Sequence, residues 1–451
     1  MDSILRGYYV NEPTWFYLSF LLIVAVFFKF SRLWSVRNLD LTLLLLISPG
    51  LLIIPNQPAA GYAWLFVVSA CLLARVLLDS SFVRRPRFEQ NMNAAGLTFL
   101  CAAVFAFLMT KVMTDPPAPR TVALIGRANQ ILHGAKPDGR APAAKVAAVP
   151  VSPDTAVALP ADTTNVGIDA TVAALPTNDF ELMAARSTAI LAHLAVIIGL
   201  ALVGRQIFSD LEGGVAMATL YMLLPCTAFD IGEVNHVLPA ALIVWAVWAY
   251  RRPLLSGMLL GLACSTLFFP IFLLPLWAAF YGRRGGVRFV VAVGLTAAAT
   301  IGSLALASGD TQAFVHQTLG HIEWARLQFR DIDGGTGFWR DHEAAYRIPV
   351  FVTFLVMLVA LTIWPRRKSV THLMSHSAAV IIGTQFWYTQ QGGVYVLWYL
   401  PLLLLLVFRP AMTNHFAPEL RPFNWLWKHK AEAQPQPQLA ATGTDSGSSF
   451  R

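Results

Sequence analysis

Apolar residues run in stretches long enough to cross a bilayer, and Arg and Lys gather at alternate ends of those stretches. A membrane span needs roughly 20 predominantly apolar residues. The segments Trp15 to Phe28, Met92 to Met109, Ser187 to Val203, Val350 to Trp364 and Val394 to Phe408 mark the cores of such spans. Moving Lys or Arg across the membrane is disfavoured during insertion, so basic loops stay in the cytoplasm. The basic positions are Lys29, Arg32 and Arg37, then Arg84, Arg85 and Arg87, Arg205, Arg251 and Arg252, Arg283, Arg284 and Arg288, Arg366, Arg367 and Lys368, and finally Arg409. This alternation predicts an all-α polytopic membrane protein with about eleven transmembrane helices, the amino terminus outside and the carboxyl terminus in the cytoplasm of a cell (inner) membrane.

One segment departs from simple alternation. Leu254 to Tyr281 exceeds an ordinary span, yet arginines flank both of its ends. Its middle, Ser265-Thr266-Leu267-Phe268-Phe269-Pro270, holds a helix breaker. The pattern therefore predicts a broken re-entrant hairpin, since non-helical backbone at depth survives only inside protein or along a cavity. Three organisational units follow: a three-span extension over 1–91, a transmembrane core over 92–409, and a disordered cytoplasmic tail over 410–451.

Two external loops, 114–177 and 309–348, are large enough to hold chemistry. The first opens on Asp115-Pro116-Pro117 and continues through an amphipathic stretch, Arg120 to His133, that fits a juxtamembrane helix. From Ala135 to Pro176 the composition becomes linker-like. The second crowds His316, His321, Glu323, Trp324, Arg326, Arg330, Trp339, His342 and Arg347 together. This loop reads either as a grip for a phosphate or sugar or as an ordinary solvated loop. Its Gly334-Gly335-Thr336-Gly337 run lacks a preceding strand and a following Lys-Ser or Lys-Thr, so it reads as a turn and not as a nucleotide cradle.

Composition narrows the function classes. Charged residues make up only 13% of the chain and hydrophobic residues 56%, so the formal charge of +8 reflects orientation signals and no nucleic-acid partner is predicted. Cys71, Cys101, Cys226 and Cys264 all lie in apolar segments, without disulfide or zinc spacing. His372 and His376 share a helix face but lack a third ligand nearby, and no metal or other cofactor is predicted. His193 reads as an imidazole satisfied by a neighbouring helix. Tyr388, Tyr395, Trp398 and Tyr399 read first as an interfacial aromatic belt, with sugar stacking as the alternative.

Ionisable groups at the membrane plane are costly unless paired or hydrated. Asp230, Glu233 and His236 occupy the short external connection Phe229 to His236. A carboxylate there suits a general base that takes a proton from a hydroxyl, and equally suits a simple marker of the water interface.

Taken together, these features resemble the GT-C superfamily of integral membrane glycosyltransferases. The similarity rests on Met92 to Asp115 followed by Arg120 to His133, on Met183-Ala184-Ala185-Arg186, on Gly204-Arg205-Gln206-Ile207-Phe208, and on Leu223-Leu224-Pro225. Gly232-Glu233-Val234-Asn235-His236 and Ser256 to Leu262 before Phe269-Pro270 look like segments of the branch that uses polyprenyl-phosphate mannose. The resemblance implies transfer of a sugar from a polyprenyl-phosphate donor to a glycan, lipid or protein acceptor on the non-cytoplasmic face. It makes Asp115 the base at the head of the first external loop, with Asp230 or Glu233 as alternatives. Arg186 and Arg347 then offer cationic partners for the donor phosphate, with His236 and His342 as further substrate-binding candidates. Where this branch carries a lysine before the aromatic and proline, the chain has Leu267-Phe268-Phe269-Pro270. A transporter and a noncatalytic membrane scaffold are the competing readings; the broken hairpin suits the former.

Overall fold

Proline, glycine and polar caps decide where each helix starts and stops. The computed structural model describes residues 12–81, 89–115, 117, 121–122, 125–126, 129, 179–307, 337–388, 392–412 and 415–418. The helices are α1 Glu12–Phe27, α2 Val36–Leu45, α3 Ile47–Ile53, α4 Pro58–Leu77, α5 Ala94–Thr114, α6 Asp179–Gln206 and α7 Leu211–Leu223. They continue as α8 Pro225–Phe229, α9 Val234–Trp248, α10 Pro253–Thr266, α11 Leu274–Ala307, α12 Arg347–Ile363, α13 Val370–Trp387 and α14 Leu400–Phe408. Among the described residues the one β feature is an isolated bridge, Ser369 to Phe416. Ser35, Asn93 and Asp210 each accept a hydrogen bond from the N–H three residues on, which satisfies one of the orphan donors at the first turns of α2, α5 and α7. Pro225, Pro253 and Pro401 sit in the first turns of α8, α10 and α14, where a missing N–H costs nothing.

Six helical stretches among the described residues have the length and apolarity to cross a membrane: Val36–Ile53, Pro58–Leu77, Ala94–Thr114, Asp179–Gln206, Phe269–Ser303 and Ala344–Ile363. This corrects the expectation of about eleven transmembrane helices. α7 has 13 residues, α9 has 15 and α10 has 14. At 1.5 Å per residue such helices reach about 20 Å, well short of a hydrocarbon core of about 30 Å. The physical reason lies in burial. The most exposed of the six, Ala344–Ile363, is only 17% buried, and Phe99, Leu295 and Val356 point outward from long helices. Every residue of α7 from Ala216 to Leu223 is buried, as is almost all of α13. Ala94–Thr114 and Ala344–Ile363 thus turn apolar faces outward, whereas α7 and α13 are apolar because they are core.

Close backbone approaches set the packing. A Cβ on Gly204 of α6 would collide with the Gly214 backbone of α7, so this crossing needs glycine on both sides. α10 meets the later part of α11 through Gly257 against Phe289, Gly261 against Thr296, and Ser265 Oγ to Thr300 Oγ1 at 3.3 Å. Both partners advance together along that list, so the two segments run parallel. Between them the chain leaves helical geometry twice. Leu267 is extended and leads into a 3-10 turn over Phe269–Leu273, and Gly282 takes φ +64° just before Arg283.

The α2–α4 region is joined to the last helix by a buried ionic chain. Arg75 of α4 pairs with Asp40 of α2 through Nη2 to Oδ2 at 2.9 Å, and its Nη1 reaches Asp79 Oδ1 at 3.1 Å. Arg409, just past α14, closes the chain on Asp79 Oδ2 at 2.6 Å. Burial, then the charge of Arg75, brings the Arg409 guanidinium down to about 10, which leaves it cationic at neutral pH. Asp79 therefore holds two arginines with its side chain only 1% exposed. Breaking a buried pair strands a charge and costs roughly 3–5 kcal/mol. Asp79→Asn and Arg409→Gln are each expected to lower stability by about that amount, and the double variant by clearly less than their sum. Thermal unfolding of the purified protein in detergent checks both; additive losses would mean that the residues do not act as one chain.

The external-loop residues His316, His321, Glu323, Trp324, Arg326 and Arg330, the Gly334 to Thr336 part of the turn, most of the Arg120 to His133 stretch, the linker over 135–176 and the tail over 419–451 lie outside the described residues.

Candidate active site

The helix ends opposite the Arg75–Asp79–Arg409 chain bring several of the chemistry-bearing side chains close to one turn. α5 stops at Thr114, and Asp115 caps it with an extended backbone, its N–H donating to Lys111 O at 2.9 Å. Arg186, two turns into α6, donates from Nη2 to the Asp115 carbonyl at 3.3 Å. Its Nε is buried with no hydrogen-bond partner among the described residues. The half-buried Asp115 thus sits beside a guanidinium that retains unused donor capacity.

Asp230, Glu233 and His236 lie where α8 turns into α9. Leu224 must be extended because Pro225 follows it, so α7 ends there and the five-residue α8 carries the chain into this turn. Three side chains from elsewhere then hold its carbonyls. Lys111 Nζ donates to Ala228 O at 3.0 Å, His193 Nε2 to Ile231 O at 3.0 Å, and Thr121 Oγ1 to Gly232 O at 3.2 Å. A carbonyl only accepts, so His193 carries its proton on Nε2, and Tyr221 Oη donates to Nδ1 at 3.0 Å. Each bond satisfies a backbone acceptor that water reaches poorly, a requirement that tightens inside a membrane protein.

Asp230 Oδ2 stands 4.0 Å from His236 Nδ1, and both side chains are largely buried. The His236 ring lies edge-on to Tyr395 and Trp398, with centroids 5.0 and 6.1 Å away. Trp398 is sandwiched between Phe269, at 4.6 Å, and Tyr395, at 4.3 Å. This revises the reading of Tyr395, Trp398 and Tyr399 as an interfacial belt. All three are buried, and both faces of Trp398 are occupied by other rings. Tyr388 and Phe268, stacked at 5.0 Å, are the half-buried edge of this cluster.

His342 and Arg347 contact other elements than those that hold Asp115. His342 stacks on Phe338 at 4.6 Å, and Phe338 stacks on Phe66 of α4 at 4.1 Å. Arg347 is buried at the start of α12 and donates from Nε to Trp387 O at 3.3 Å, behind the ring of Phe268. Among the described residues no group of three or more His, Cys, Asp or Glu is arranged to hold a metal. Sequence reasoning missed Lys111 and Thr121. A lone lysine in the last turn of an apolar helix, four residues before an acid, was the available signal for Lys111.

A family model for Glycosyltransferase family 87 matches residues 170–410, just over half of the chain. The chain belongs to glycosyltransferase family 87. This GT87 assignment places it in the GT-C superfamily and in the multi-pass membrane class. No curated protein and no solved structure matches it. Within the GT87 match lie Arg186, His193, Asp230, Glu233, His236, His342 and Arg347, whereas Lys111, Asp115 and Thr121 precede it.

His193→Leu removes the donor to Ile231 while keeping the apolar volume. The variant also removes the acceptor of Tyr221 Oη, but at the turn itself it costs one buried hydrogen bond, worth about 1 kcal/mol, and is expected to raise amide exchange at Ile231 to Glu233 about fivefold, with Asp79 and its neighbours unchanged. Hydrogen-exchange mass spectrometry reads this directly, and unchanged exchange at the turn would mean that His193 does not hold it.

Proposed function

We propose that this GT87 chain transfers a sugar from a polyprenyl-phosphate donor to an acceptor hydroxyl at the non-cytoplasmic face of a cell membrane. The observation that carries the proposal is the placement of Asp115 at one helix end with two cations near it: Arg186, which donates to the Asp115 backbone carbonyl, and Lys111, one turn earlier on the same helix. In this reading the amino terminus lies outside and the carboxyl terminus in the cytoplasm. The donor arrives already linked to lipid, so the enzyme spends no nucleotide.

The chemistry is a direct displacement. Asp115 takes the proton of the acceptor hydroxyl as its oxygen attacks the anomeric carbon. A new glycosidic C–O bond forms while the bond from that carbon to the phosphate oxygen breaks. The departing polyprenyl phosphate keeps the electron pair, and Arg186 neutralises the charge that develops on it. General-base assistance contributes typically 10²- to 10⁴-fold, and cationic stabilisation of a leaving oxyanion about as much. Asp230 is the alternative base, held on a turn whose carbonyls are occupied from three sides.

The test is transfer of labelled sugar from a polyprenyl-phosphate donor in membranes that contain the protein. Asp115→Asn is expected to lower the rate at least about 100-fold with little effect on donor retention. Arg186→Gln is expected to weaken donor retention as well as turnover, because its partner is the phosphate in both the bound and transition states. Activity that survives Asp115→Asn and vanishes in Asp230→Asn would move the base to Asp230. Activity that survives both would overturn the reading.

A further inference from the structure

An apolar groove of about 210 Å³ runs between α1 and the α2–α3 pair, outside the residues matched to the family. Phe16, Phe20 and Phe28 form one wall and Leu41, Leu45 and Pro49 the other. Thr42 also borders it, but its hydroxyl already donates to Asn38 O at 2.8 Å. The groove therefore offers an occupant no free hydrogen-bonding side chain. From Phe16 to Phe28 it follows α1 for about 18 Å, the length of a good part of one acyl chain. An apolar space of this kind excludes water and takes hydrocarbon.

At the Phe28 end the wall runs directly into a basic loop. Asn38 fixes that loop: its Oδ1 accepts from the Lys29 N–H at 3.0 Å, and its Nδ2 lies 3.0 and 3.1 Å from the carbonyls of Lys29 and Arg32. The Lys29 ammonium and the Arg32 guanidinium make no ion pair among the described residues. Phe30, Leu33 and Trp34 of the same loop are exposed, Trp34 fully so. Exposed Trp and apolar residues beside free cations are what the headgroup level of a bilayer accommodates.

We propose that this groove and loop bind an anionic phospholipid, with one acyl chain between α1 and α2–α3 and the phosphate on Lys29 and Arg32. Charge selects this occupant. A zwitterionic lipid offers the same chain but a headgroup whose own ammonium competes for the phosphate. Each Lys or Arg near an anionic lipid surface contributes about 1 kcal/mol, or about fivefold. Two of them predict a preference of roughly thirtyfold.

Native mass spectrometry of the purified full-length protein, titrated with phosphatidylglycerol or with phosphatidylcholine of the same acyl chains, tests the site. The expected result is one retained phosphatidylglycerol per chain, bound roughly thirtyfold more tightly than phosphatidylcholine. Lys29→Gln with Arg32→Gln should erase that preference, and Arg37 keeps a positive charge on the same connection. Thr42→Trp, at an exposed position on the groove wall, should expel both lipids. Arg283→Gln with Arg284→Gln, at a different basic turn, should change neither. Equal retention of the two lipids by the unmodified protein would overturn the proposal. So would a preference that survives loss of Lys29 and Arg32, retention unaffected by Thr42→Trp, or a preference lost equally at Arg283 and Arg284.

Discussion

Backbone polar groups in a membrane protein have few places to go, and the turn between α8 and α9 is where that constraint governs the candidate site. Pro225 ends α7 early, α8 lasts five residues, and the carbonyls of Ala228 and Ile231 are left without helical partners, while Gly232 O takes the Val234 N–H at 3.2 Å and has room for a second donor. Lys111 from α5, His193 from α6 and Thr121 from the segment after Asp115 supply the missing donors. The same contacts fix the turn that carries Asp230 and tie it to the helix end that carries Asp115. Satisfying the backbone and arranging the chemistry are thus one arrangement.

A second constraint operates at the opposite helix ends. There the charges are full ones, and Asp40, Arg75, Asp79 and Arg409 satisfy each other in sequence. Buried pairs of this kind add little net stability over a hydrophobic substitute, but they penalise any arrangement in which one member is missing. They make correct seating of α2 and α4 against α14 a condition of folding. The candidate site inherits that seating, because α3 and α1 pack against α8.

The broad class was legible in the sequence because hydrophobicity, charge and motif spacing are local properties. The chain is an all-α multi-pass membrane protein of the GT-C superfamily, as the resemblance implied. The number of long spans was not legible. A segment such as α7 is apolar because other helices surround it, while Ala94–Thr114 is apolar because much of it faces outward, and composition does not distinguish the two. The aromatic residues near Trp398 misled for a related reason: Tyr and Trp beside a span end suit an interfacial belt, yet here they close on Phe269 and His236. The donors to the turn were invisible because each reaches across more than 35 residues of chain; His193, the nearest, lies 38 residues from Ile231. Even so, reading His193 as an imidazole held by its surroundings anticipated its bonds to Ile231 and Tyr221.

The proposed activity requires donor phosphate and acceptor to meet at the end of α5. Cryo-electron microscopy of the protein bound to an uncleavable polyprenyl-phosphonate sugar measures this most directly. The predicted result is a phosphonate within ion-pair distance of Arg186, with the anomeric carbon turned toward the Asp115 carboxylate. Sugar density against the Arg75–Asp79–Arg409 end, or remote from both Asp115 and Asp230, would contradict it.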